Sequence, residues 1–196
     1  MRLKLALAAL LVLAPTAALA HTGAGIEHDL AHGFLHPMGG LDHILAMVAV
    51  GVFAFVLGGR ALYMVPLAFV GMMAAGFLLG VAQVEVPFVE LGIALSSVVI
   101  GGVAALGKPM PVIAASALVG VFAVFHGVAH GAEMPLGATG WQYAVGFIAA
   151  TALLHATGIV AAMGVSKVVG RFGKPAAQLA GGLFALGGAG LLAGWF

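Results

Sequence analysis

Eight histidines stand in a chain of 196 residues that holds only six Asp or Glu and no Cys. Their spacing is suggestive. His28, His32 and His36 are four apart; so are His126 and His130, with Glu133 three further on. On a helix such residues stack on one face, and two imidazoles one turn apart can chelate one metal ion. Asp42 and His43 are adjacent, and Met47 would share a helix face with His43. Without Cys, thiolate sites and disulfides are excluded, so metal ligands must be His, Asp, Glu, Met or backbone. Imidazole with some carboxylate suits Ni²⁺, Zn²⁺, Cu²⁺ or Fe²⁺, and spacing does not choose among them.

The elements that must position these residues follow from composition. The chain is 63% apolar and 7% charged, against about 25% charged in an ordinary soluble domain. That excludes a water-soluble globular domain, and the apolar content excludes disorder. The 31 Gly follow no three-residue period, which excludes collagen, and a net charge of +1 gives no field for nucleic acid. What remains is an all-α integral membrane bundle with lipid around it. Residues 1–20 have a basic start (Arg2, Lys4), a short apolar run, Pro15 and a small-x-small end at Ala18-Leu19-Ala20. They read as a secretory signal peptide cleaved after Ala20, which would make His21 the first mature residue. Residues 21–40 form a His-rich N-terminal segment. Residues 41–196 form a transmembrane domain of six apolar stretches: 41–58, 61–81, 89–106, 112–129, 143–165 and 177–196. Each is near the ~20 residues that cross ~30 Å of hydrocarbon as a helix.

Charge tests this topology. Arg60, Lys108, Lys167, Arg171 and Lys174 fall in alternate loops, whereas Glu27, Asp29, Asp42, Glu85, Glu90 and Glu133 fall at the opposite ends. Basic loops stay cytoplasmic, so the bacterial inner membrane is crossed six times with both mature termini periplasmic. Every histidine then lies outside or within a span. His21, His28, His32 and His36 precede the first span, His43 lies near its outer end, and His126 and His130 lie near the outer end of the fourth. His155 sits twelve residues into the fifth, roughly 18 Å down. Polar residues in or beside lipid are costly and mark pathways or sites, which makes Asp42, His43, His126 and His130 the central candidates. His155 alone reads equally as a packing residue, and His28 and His32 read first as a solvated segment. His36 and His43 would lie about 10.5 Å apart on a straight helix, so joint ligation requires a bent or unwound helix start at Pro37-Met38-Gly39-Gly40. Small residues four apart, such as Gly71/Ala75, Gly76/Gly80 and Gly190/Gly194, read as close packing within one bundle rather than as a dimer face. The nine Met read as lipid-facing or packing residues.

His36-Pro37-Met38-Gly39-Gly40-Leu41-Asp42-His43, with Met47 and Gly51, resembles the H-P-x-x-G-x-D-H-x-x-x-M-x-x-x-G signature of the HupE/UreJ family. Phe125 to Glu133 is similar to the family's H-G-x-A-H-G-x-E motif, and Thr151 to Gly158 to a third motif around a fifth-span histidine. The resemblance covers essentially the whole chain. These are hydrogenase and urease accessory proteins regarded as nickel permeases. The resemblance implies metal handling by His36, Asp42, His43, His126, His130 and Glu133, with His155 as a further candidate. His21, His28 and His32 lie outside the motifs.

The expected function is thus a permease that brings Ni²⁺ from periplasm to cytoplasm for hydrogenase or urease maturation proteins. Nickel comes from the resemblance; from the residues, Co²⁺, Zn²⁺ and Cu²⁺ stay open. His21, His28 and His32 would collect the ion, the two motifs would bind it, and His155 would be the next station. Several weak sites suit transport better than one tight site. Two alternatives stand beside this reading. One is an intramembrane metal-dependent hydrolase using His-x-x-x-His ligands and a Glu base. The other is a membrane scaffold that binds metal without transporting it.

Overall fold

The computed structural model describes residues 26–134 and 140–195. The expected leader and His21 lie outside the described residues, as does the side chain of His28. The described chain is helical, without strands. It runs α1 (Ile26–Leu35), a 3-10 turn (His36–Met38), α2 (Leu41–Leu57), α3 (Ala61–Val81), α4 (Val89–Leu106), α5 (Val112–Ala132), α6 (Gly140–Val169), a second 3-10 turn (Gly170–Phe172) and α7 (Gly173–Leu192).

Six long helices therefore correspond to the six apolar stretches. Helices α3, α4, α5 and the run Gly140–Leu192 are each long and apolar enough to cross a membrane. Asp29–Met38 and α2 together are also long and apolar enough, as a pair bent by 82° that forms either a broken span or a re-entrant loop. The run Gly140–Leu192 contains 53 residues, roughly 80 Å if it were straight. It is not straight: Gly170 takes φ +57° between α6 and α7, a left-handed conformation that glycine adopts without strain. The two helices then pack against each other. Two boundaries differ from expectation. Helix α6 begins three residues before residue 143 and continues past residue 165, and α7 begins at Gly173 instead of 177. The expected boundaries were set by charge, but Lys167 and Lys174 are carried on helical backbone. Pro175 is accommodated in the first turn of α7, where its missing N–H costs nothing.

Helix α2 occupies the centre and touches α3, α4, α6 and α7. Its buried residues, from Ala46 to Val56, lie all around its axis, as an apolar helix without a polar face requires. The outward faces of the other helices remain apolar: Ile113 is 79% exposed and Leu186 69%. That is the surface a lipid solvent demands.

Glycines set the closest helix pairs. A methyl on Gly76 or Gly80 of α3 would strike the backbone of α5 at Val124 or Val128. One on Gly127 or Gly131 of α5 would strike α3 at Met73 or Phe77. Gly51 of α2 and Gly158 of α6 face each other in the same way, and Gly33 of α1 meets Tyr143 of α6. The Gly76/Gly80 pair thus packs inside the bundle, whereas Gly71 and Gly194 face open space. At one end of the bundle, Lys108 and Lys174 line a single pocket of 180 Å³ with Val56 and Leu57. The basic residues just after α4 and in the first turn of α7 therefore come together.

Candidate metal centre

The site begins at the break between α1 and α2. Pro37 opens the 3-10 turn, the Gly39 N–H closes on the His36 carbonyl, and Gly40 is extended at φ −105°, ψ 124°. A side chain at Gly40 would run into the Asp42 carboxylate and His43 Nδ1, so glycine is what lets that pair close against the backbone. The helix start is broken here, as the sequence reading required before His36 and His43 could approach one another. His36 and His43 both meet His130 of α5, with ring centroids 4.9 Å and 4.7 Å away.

The hydrogen bonds fix which nitrogens are available. One oxygen of Asp42 accepts from the His43 backbone N–H and from its Nδ1, both at 2.8 Å. His43 Nδ1 therefore carries its proton and Nε2 presents the lone pair. His126 Nδ1 donates to the Phe122 carbonyl one turn back at 2.9 Å, which again leaves Nε2 as the acceptor. This is the arrangement of metal-ligating histidines, in which the distal nitrogen is oriented by a carboxylate or carbonyl. His43 Nε2 and His126 Nε2, and both nitrogens of His130 and of His155, are buried with no hydrogen-bond partner among the described residues. Leaving such a group unpaired costs about 1–3 kcal/mol, so the cluster has free acceptor nitrogens that water or a metal ion can satisfy.

His36, His130 and Glu133 offer ligand atoms that all lie within 4.8 Å of one another. Tetrahedral ligands about 2.1 Å from one ion stand about 3.4 Å apart, so closure on an ion needs a movement of up to about 1.5 Å. Glu133 follows the last residue of α5, and its Oε2 is 3.0 Å from His36 Nε2. Exposure falls along the set: Glu133 55%, His36 29%, His43 15%, and His130, His126 and His155 at 1% or less.

The structure joins the first-span and fourth-span candidates into one cluster. Rings link His36 to His130, His130 to His43, and His43 to His126 at 5.1 Å. His32, exposed on α1, extends the line outward through His36 at 5.9 Å. Phe69 of α3 meets both the cluster and His155, 5.5 Å from His126 and 5.0 Å from His155. Two buried side chains escaped the sequence reading. Met73, one turn from Phe69, accepts a hydrogen bond from Thr151 at 3.6 Å, and Tyr143 packs on His32 and His36. Neither carries a spacing signal, because Met73 meets Thr151, and Tyr143 the histidines, only across helix contacts.

A family model described as HupE / UreJ protein matches residues 8–191. Protein HupE of Rhizobium leguminosarum bv. viciae is 45% identical over 180 residues, covering 92% of either chain. No solved structure matches. A match that spans both histidine motifs and all six long helices is a match to the whole design, and the chain belongs to the HupE/UreJ family of accessory membrane proteins, which are not enzymes.

Proposed function

We propose that the chain is a permease that moves a divalent transition-metal ion, Ni²⁺ foremost, from periplasm to cytoplasm to supply hydrogenase or urease maturation. The observation that carries this reading is the file of imidazoles from His32 and His36 to His155, with buried unpartnered nitrogens at every step from His43 inward. The basic loops mark the cytoplasmic end, so the file opens on the periplasm, where a cleaved leader would also leave the mature N-terminus.

The ion docks at His36, His130 and Glu133, the accessible group. It passes to His43 and His126, whose free Nε2 atoms lie deeper. His130, in ring contact with both His36 and His43, belongs to both stations. The Asp42 carboxylate holds His43 in the ligating tautomer and supplies negative charge to an incoming dication. His155 receives the ion next. His21, His28 and His32 serve as loose collectors ahead of the docking group. Mixed imidazole and carboxylate donors favour borderline ions over hard ones, and two overlapping stations permit release. A hydrolase or a static scaffold gains nothing from the further buried imidazole of His155.

The test is uptake of radioactive Ni²⁺ into proteoliposomes, with Co²⁺, Zn²⁺ and Cu²⁺ as competitors. Asp42→Ala and His130→Ala should abolish uptake while the protein still inserts. Wild-type rates in both variants would overturn the proposal.

A further inference from the structure

One buried polar group beside the histidines has no task in this scheme. Tyr143, near the start of α6, is wholly buried, and its hydroxyl has no hydrogen-bond partner among the described residues. Its ring meets His32 at 5.7 Å, His36 at 5.9 Å and Phe77 at 6.2 Å. Its backbone is held as well: Gly33 of α1 packs against the Tyr143 carbonyl, and Gly146 one turn on packs against Leu30 and Phe34. The ring is thereby fixed against the residue that offers the outermost imidazole of the docking group. Phe would fill the same space without burying an unsatisfied hydroxyl, so the hydroxyl needs its own explanation.

The docking group supplies three protein atoms. A divalent transition ion takes four to about six ligands, so an ion held there keeps water. Water on a dication is a strong hydrogen-bond donor, and a neutral phenol oxygen is a ready acceptor. Resting on the permease reading, we propose that Tyr143 is a positioning residue of the docking station, its hydroxyl accepting a hydrogen bond from a water that the docked cation retains. The residue touches the ion only through that water. It fixes the partly hydrated ion beside His36 before the remaining water is exchanged for His43 and His126.

Calorimetric titration of Ni²⁺ into the full chain in lipid nanodiscs tests this. Tyr143→Phe keeps the ring and removes one oxygen. It should raise the Ni²⁺ Kd about tenfold, the usual scale for a lost hydrogen bond to a charged group, and leave the Tm unchanged. In a His36→Ala background, where binding is left to His43, His126 and His130, Tyr143→Phe should have no further effect. Wild-type affinity in Tyr143→Phe would overturn the inference. So would a fall in Tm alongside the affinity, which would mark a packing role, or an undiminished tenfold effect in the His36→Ala background. A wild-type chain that binds no Ni²⁺ would remove the docking station itself, a failure distinct from that of Tyr143 alone.

Discussion

At the scale of residues, the site rests on which imidazole nitrogen is free. Asp42 accepts from both the backbone and the ring of His43, so its carboxylate sets the tautomer as well as the local charge. Asp42→Asn keeps the shape but presents an amide that can offer N–H where the ring needs an acceptor. Loss of a carboxylate behind a ligating histidine usually costs about 10- to 100-fold in affinity or activity, and we expect Ni²⁺ uptake by Asp42→Asn to fall within that range. A rate within twofold of wild type would show that the pair is not needed. Much of this was legible beforehand. Asp42 beside His43, and His126 one turn from His130, are local spacings that survive folding. The meeting of His36 and His43 at His130 was legible only as a condition, a broken helix start. Phe69 and Tyr143 were not legible, because an apolar ring gains its role from the helix opposite it.

At the scale of elements, glycine decides where the ligands stand. Gly127 and Gly131 each follow a histidine of α5 directly, and both press on the backbone of α3. The contact that seats α5 against Met73 and Phe77 therefore also sets the depth of His126 and His130. Gly127→Ala forces the helices apart. Overpacking of this kind costs about 1–3 kcal/mol, so thermal unfolding in detergent should shift downward and uptake should fall with it. Gly71→Ala, on the same helix as Gly76 but facing open space, should leave both unchanged. Equal behaviour of the two variants would contradict the interlock. The small-residue spacing in the sequence announced close packing but could not name the partner helix. Likewise the apolar runs located the helices, whereas the true ends of α6 and α7 depend on helical backbone that continues past the charges.

At the scale of the whole molecule, the proposed permease runs from an accessible docking group to a buried histidine through one file of donors. Protons compete with metal for the same nitrogens. Metal binding to imidazole releases protons, so uptake should decline as the external solution is acidified. A flat rate between about pH 7.5 and 5.5 would show that neutral imidazoles do not limit transport. Orientation is open to a separate check, since the chain has no Cys. A single cysteine at Lys108 should be protected from an impermeant maleimide in intact cells, and one at Glu85 should be labelled; the reverse pattern would invert the path. The most direct measurement compares Ni²⁺ binding with Ni²⁺ uptake for His155→Leu in the same proteoliposomes. The proposed docking and inner stations draw on His36, His43, His126, His130 and Glu133 and not on His155, so binding should persist while uptake is lost. Uptake at the wild-type rate would contradict a path through His155 and with it the serial arrangement of the histidines.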